Sequence, residues 1–292
     1  MTTLTTADGL ALHLHAWPLP AERAGPARGT VLIVHGLGEH GGRYAHVAAH
    51  LAGAGWAVAG YDQRGHGRSG GPRGGIPADD SLLADLGAVI GHLRTRSALG
   101  DPLPGPLVLL GHSMGGLVVG RYVAEGLAAR PAPWWQAVDG LVMSSPALDP
   151  GMSWAQKLLL ALAAPIAPAL ALGNGLKAEW VSRDPAVVRA YIADPLNHDR
   201  VTPRLVRFIV EGGRRVVQCA PRWTTPTLLL YAGADRCVAA RGSAAFAAAA
   251  PPALLQAHGY DGLAHEIFNE PERASVLADL SAGLAVRLPA LA

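Results

Sequence analysis

Val31-Leu32-Ile33-Val34 and Leu107-Val108-Leu109-Leu110 are apolar at every position. A strand with one wet face alternates, so runs without a polar residue must be covered on both faces. That is the condition of central strands in a parallel sheet. Parallel neighbours cannot be joined by a tight turn; each crossover takes a dozen residues or more and is usually a helix. The chain supplies that rhythm. Strands are expected at 10–17, 30–35, 57–62, 106–111, 140–144, 227–232 and 253–258, and helices at 43–54, 81–93, 114–128, 242–250 and 271–286. Leu10, Leu12 and Leu14 alternate with His13 and His15, which suits an edge hairpin with one wet face. The expected class is α/β, a mostly parallel central sheet flanked by helices.

One interval breaks the rhythm. Between two expected strands lie the 80 residues 147–226, far more than a crossover needs. The surplus predicts a helical lid inserted above the sheet, with a core of 1–146 and 227–292. Inside the lid, Thr202-Pro203 reads as an N-cap followed by proline at the first helical position. Trp154, Trp180 and Trp223 fall in this interval and Trp134-Trp135 shortly before it. With Leu158, Leu159, Ile166 and Leu170 they offer either an apolar surface for an acyl chain or lipid interface, or a small satellite core beneath the lid. Arg204, Arg207 and Arg214 recur at near-helical spacing, as on a solvated face or one drawn to anionic lipid.

Half the residues are apolar and 16% charged, which excludes a disordered chain. The 24 basic and 22 acidic side chains nearly cancel, unlike the basic excess of a nucleic-acid binder. Cys219 and Cys237 are too few for a disulfide framework or a thiolate zinc site, so free thiols in a reducing compartment are expected. The first eight residues have neither a basic start nor an apolar run, so no signal peptide is expected. The uncharged stretch 158–172 has 15 residues and is broken by Pro165 and Pro168, short of the roughly 18 that span a bilayer. A cytoplasmic protein, at most peripheral at a membrane, is expected.

Gly-x-Ser-x-Gly can mark a nucleophile elbow, a serine on a sharp strand-to-helix turn whose neighbours must be small. With 36 glycines the pattern alone is weak, and it occurs twice, around Ser69 and around Ser113. Ser69 follows a polar run and precedes Gly71-Pro72-Arg73-Gly74-Gly75, which cannot start a helix. Ser113 follows a buried strand and precedes a helical pattern, so it is the candidate nucleophile. A hydroxyl attacks only if a base takes its proton and a carboxylate orients that base. Loops after the next strands supply Asp235 and His265, with Asp149 and His258 as rivals. Two backbone N–H groups must meet the developing oxyanion: Met114, after the serine, and Leu37, in the loop His35-Gly36-Leu37-Gly38. That loop lacks both phosphate-binding glycine patterns, which argues against nucleotide.

With these residues placed, the chain resembles the α/β-hydrolase superfamily, and within it the monoacylglycerol lipase and lysophospholipase-like group. The resemblance rests on Ala7-Asp8-Gly9-Leu10, on 35–44 (HGLGEHGGRY), on 62–69 (DQRGHGRS), and on Gly111-His112-Ser113-Met114-Gly115-Gly116. Ser182-Arg183-Asp184-Pro185, 191–196, Asp235-Arg236 and His265-Glu266 complete it. It implies an α/β-hydrolase fold, a triad of Ser113, Asp235 and His265, oxyanion amides from Leu37 and Met114, and no cofactor or metal. It also implies contacts to the alcohol part of the substrate from Arg43, His112 and Tyr191. Where the animal monoacylglycerol lipases carry a glutamate four residues before that tyrosine, this chain has Val187, so that position is not expected to recognise glycerol. Dehalogenases and epoxide hydrolases share the 62–69 loop type, but their nucleophile is an aspartate. The expected function is a serine esterase acting on small lipid esters, monoacylglycerols favoured, with transient membrane-surface contact through the lid. Lysophospholipase and short-chain esterase or acyltransferase are the alternatives, and a non-catalytic binding module conflicts with an intact triad.

Overall fold

The computed structural model describes residues 2–20, 25–95 and 105–287. β1 (Thr2–Thr5) and β2 (Ala11–Trp17) form an antiparallel hairpin at one edge of the main sheet. The sheet continues through β3 (Thr30–Val34), β4 (Ala57–Tyr61), β5 (Leu107–His112) and β6 (Gly140–Ser144). Two short strands, β7 (Leu172–Gly173) and β8 (Arg200–Val201), pair with each other away from it. β9 (Thr227–Ala232) and β10 (Leu255–Tyr260) complete the main sheet, whose order is β1-β2-β4-β3-β5-β6-β9-β10. β2 runs antiparallel to β4; every later neighbour is parallel.

The fully apolar runs lie where two-sided burial requires them. Val31 and Ile33 join α1 (Ala45–Gly53) and α8 (Arg273–Arg287) through Val47, Leu51 and Leu280. Leu32 and Val34 face the other way, onto α2 (Ser81–Thr95) and α3 (Met114–Glu125), through Leu82, Leu86 and Leu117. All four strand residues are fully buried, each worth about 1.5–3 kcal/mol of transfer free energy. This double layer holds the strand ends, and therefore the loops that follow them, in fixed relative positions.

Two strand assignments in the main sheet change. β1 was not expected, because Thr2-Thr3-Leu4-Thr5 shows no run of alternating apolar residues. The last strand begins two residues later than 253. Ala253 and Leu254 are apolar but lie in a turn closed by Leu254 N–H donating to Pro251 O at 2.9 Å. His258 consequently sits inside an exposed edge strand, stacked on Tyr260 and 3.3 Å from Asp279.

The interval 147–226 divides in two. α4 (Trp154–Ile166) and α5 (Pro185–Ala193) lie above the carboxyl ends of the strands with β7 and β8. α6 (Pro203–Cys219) starts at Thr202, whose side chain accepts from Leu205 N–H. Its apolar face, with Leu205, Phe208, Ile209 and Val216, merges with the main core against α3. A Cβ on Gly213 would lie 2.3 Å from Leu148 O, so glycine is what lets α6 seat this closely. Arg204 and Arg207 tie this helix to the core: Arg204 donates to Ile76 O and Pro77 O, and Arg207 forks onto Asp79. The tryptophans scatter. Trp223 is buried in the main core edge-on to Phe246, and Trp134 and Trp135 pack against that core near Tyr122. Trp154 is 79% exposed, and α4 buries only Ala164, so α4 encloses no satellite core. The remaining helix of the sheet layer is α7 (Ala240–Ala249). No helix among the described residues is long and apolar enough to cross a membrane.

Candidate active site

Ser113 stands at the junction of β5 and α3 with φ 54° and ψ −120°. Among the described residues only Ser145 is another non-glycine with positive φ. Such a conformation costs of order 1–3 kcal/mol and persists only where neighbours enforce it. Here they do: Ser113 N–H donates to Ser144 O, and Ser113 O accepts from Ala147 and Leu117. A Cβ on Gly115 would lie 2.1 Å from Val34 O, and one on Gly111 2.3 Å from Gly115 O. The motif's glycines are therefore steric requirements. Ser69 serves the fold instead. Its hydroxyl donates to Asp62 O and accepts from His13 N–H, stitching β2 to the loop after β4.

Three loops after three strands converge. His265 Nε2 lies 2.8 Å from Ser113 Oγ, and His265 Nδ1 lies 2.7 Å from Asp235 Oδ2. The other Asp235 oxygen accepts from Cys237 N–H at 2.8 Å and Val238 N–H at 3.0 Å. Asp149 instead pairs with Arg241 at 2.7 Å. Burial works against the charged imidazole of His265, but Asp235, Glu266 and Glu39 outweigh it and raise its pKa. Burial likewise opposes the Asp235 carboxylate, which His265 and the two amides nevertheless hold below the usual range. The pair is set to stabilise an imidazolium that forms during reaction.

Leu37 and Met114 both line the space around Ser113. Met114 opens α3, where the first N–H groups have no partner within the helix. Of the expected alcohol contacts, His112 and Tyr191 line a cavity beside Ser113 but Arg43 does not. The Arg43 guanidinium bonds to Glu39 and Glu266 and lies 4.9 Å from the centre of the Tyr191 ring. His112 is buried, with Nδ1 3.0 Å from Ser144 Oγ. Burial, reinforced by His265, pushes its pKa down to about 3, so it is neutral near pH 7. Glu39, Glu266 and Asn197 gather at the same place although sequence reasoning gave them no role. Glu39 and Glu266 do lie in the family motifs 35–44 and His265-Glu266, while Asn197 carries no such signal.

Two cavities meet at Ser113. One, of about 240 Å³, is edged by Glu39, His112, Tyr191, Asn197 and Glu266. The other, of about 540 Å³, is edged by Met114, Leu159, Leu160, Leu172, Val206 and Ile209. Leu37, Ser113 and Cys237 border both. Metal-ligand atoms come within 4.8 Å of one another in Asp235–Cys237–His265 and in His13–His15–Asp62. In each set a histidine is already hydrogen-bonded to its aspartate.

A mostly parallel sheet with a strained serine between its central strand and the following helix is the α/β-hydrolase fold. The profile described as "Serine aminopeptidase, S33" matches residues 25–272, and the chain belongs to that family. It is similar to the monoacylglycerol lipase of Mycolicibacterium smegmatis, 34% identical over 264 residues, which are 89% of each chain. The crystal structure of Paleococcus ferrophilus monoacylglycerol lipase superposes with a TM-score of 0.77 at 32% identity, covering 93% of this chain and 99% of that one. A soluble variant of monoglyceride lipase from Saccharomyces cerevisiae, in complex with a substrate analog, shares the fold with a TM-score of 0.83. The identity is 22%, over 98% of this chain and 94% of that one. The chain is a carboxylic ester hydrolase, a serine lipase or esterase.

Proposed function

We propose that this enzyme hydrolyses monoacylglycerols and similar monoesters of neutral alcohols through an acyl-enzyme on Ser113. The observation that carries the reading is the meeting at one hydroxyl of a smaller cavity edged by carboxylates, an amide and an imidazole and a larger, mainly aliphatic one. The acyl chain lies in the larger cavity and the alcohol in the smaller. His265 takes the Ser113 proton as Oγ attacks the carbonyl carbon, while Asp235 holds the imidazole in the required tautomer. The oxygen gains charge against the Leu37 and Met114 amides. Collapse expels the alcohol, which receives the proton from His265, and water repeats the sequence on the acyl-enzyme.

The smaller cavity suits an uncharged polyol. His112 and Asn197 line it, and a neutral imidazole and an amide can exchange hydrogen bonds with hydroxyls. Its rim carries Asp194, Asp199 and the two carboxylates Glu39 and Glu266 that share Arg43, against the single lysine Lys177, a poor setting for an anionic phosphate. A series of glycerol monoesters should show kcat/KM rising by more than about 100-fold from butanoyl to dodecanoyl, since each buried methylene contributes ~0.8 kcal/mol. A maximum at butanoyl, or faster cleavage of aminoacyl amides, would defeat the assignment.

The cap itself is better drawn at 150–202, with α6 assigned to the core. Its α4 leaves Trp154, Leu158, Leu159, Leu162 and Ile166 more than half exposed, while Leu159 and the half-buried Leu160 also border the apolar cavity. A face that is apolar outside and continuous with the acyl cavity inside suits contact with a lipid surface. The protein should co-sediment with phosphatidylcholine vesicles, and a Trp154→Ser/Ile166→Asp variant should lose about tenfold in partitioning at an unchanged rate on dispersed monoester. Equal partitioning of the two proteins would rule this out.

A further inference from the structure

We propose that Glu39, Arg43 and Glu266 form a charged brace of positioning residues, holding the loop that carries the Leu37 N–H against the loop that carries His265. The inference rests on the triad reading above and adds what keeps its parts in register.

The loop 35–42 contains Gly36, Gly38, Gly41 and Gly42, so its own backbone does little to hold a donor in place. Glu39 supplies the restraint. One of its oxygens accepts from Gly36 N–H at 2.6 Å, one peptide before Leu37, and from Tyr44 OH at 2.7 Å. Its other oxygen accepts from Arg43 Nη1. Arg43 then forks across to Glu266, with both contacts at 2.7 Å, and Asn269 Nδ2 donates to the same carboxylate at 2.9 Å. Glu266 follows His265 directly in the chain, and its own N–H donates to Val181 O of the cap. One hydrogen-bonded path thus runs from the oxyanion loop to the histidine loop, with the Tyr191 ring over its centre.

Burying two carboxylates and a guanidinium gives up their hydration, and such groups are often replaceable by apolar side chains without loss of stability. Their presence beside the reacting atoms is accounted for by geometry, since displacement of a catalytic donor by about 1 Å can cost 10²-fold in rate. Arg64 and Asp85 provide an internal control: a somewhat more buried forked pair, both contacts at 2.6 Å, that borders neither catalytic cavity.

The test compares Arg43→Lys, Glu266→Gln and Arg64→Lys. Its readouts are kcat and KM on a glycerol monoester, the rate of fluorophosphonate labelling, the pH profile and the melting temperature. Lysine keeps the charge but cannot fork onto a carboxylate. Arg43→Lys should lower kcat and labelling at least about tenfold with KM within about twofold, the pattern of a transition-state contact. Its acid limb should stay in place because no charge is lost. Glu266→Gln should show the same loss and also move the acid limb to lower pH. The groups facing the His265 ring are Asp235, Glu266 and Glu39, which favour its protonated form, and His112. Removing one carboxylate therefore leaves the imidazole easier to deprotonate. Arg64→Lys should lower the melting temperature and leave kcat alone.

The brace is overturned if Arg43→Lys retains wild-type kcat while melting earlier, as the control does. It is equally overturned if KM rises at constant kcat, because that would make Arg43 a contact to the alcohol. Should Arg43→Lys fail to fold, Glu266→Gln decides alone, and wild-type kcat with an unmoved acid limb overturns the proposal. Failure of the triad reading would appear elsewhere, as labelling that survives in Ser113→Ala.

Discussion

Ser113→Ala should lower turnover of p-nitrophenyl and glycerol monoesters by about 10⁴–10⁶-fold. The substitution removes one oxygen and leaves the Cβ, so the strained backbone at φ 54° is asked for nothing new. The elbow's own hydrogen bonds, Ser113 N–H to Ser144 O and those accepted by Ser113 O, are main-chain and survive. What disappears is the 2.8 Å contact to His265 Nε2, worth about 1 kcal/mol of stability. The melting temperature should therefore shift by no more than about 4 °C. A folded variant retaining more than a few per cent of the wild-type rate would show that another group attacks the ester. Fluorophosphonate labelling should vanish in parallel, since it needs the same hydroxyl and the same base.

Asp235→Asn should cost about 10⁴-fold in kcat with little change in fold. The reason lies in how the carboxylate is held. One oxygen accepts from the N–H groups of Cys237 and Val238, and the other meets His265 Nδ1 at 2.7 Å. An asparagine keeps its oxygen on the two amides, because its NH₂ cannot accept from them. The NH₂ is then forced toward His265 and makes Nδ1 an acceptor. The ring proton moves to Nε2, and the nitrogen facing Ser113 can no longer take a proton. The expected profile is a collapse in kcat that partly recovers at high pH, where hydroxide can substitute for the base. Loss of less than tenfold would mean that Asp235 is not the orienting acid, and Asp149 would then need testing despite its pairing with Arg241.

Much of the site was legible because its constraints are local. Glycines at 111 and 115 flank a turn that no larger residue fits. Fully apolar runs at 31–34 and 107–110 announce strands buried on both faces. Asp235 and His265 follow strands, and the ends of parallel strands share one rim. The Thr202-Pro203 start of α6 was equally local and lies where expected.

What α6 packs against was not legible. Its apolar stripe is the same whether it meets a cap or the sheet layer, and only the tertiary structure shows it packed on α3 as well as on α4. Arg43 illustrates the same limit for charge. The resemblance implies that its guanidinium meets the alcohol, and only the fold shows it bonded to Glu39 and to Glu266, the latter 223 residues away in sequence.

Periodicity, turn residues and small-residue requirements are properties of neighbouring positions, so the sequence by itself determined the central parallel strands, the elbow and the chain order of Ser113, Asp235 and His265. The partners of each buried face and charge are set by which distant segments the sheet brings together. Only the tertiary structure decided the packing of α6 on α3, the exposed face of α4, the two cavities and the Glu39–Arg43–Glu266 contacts.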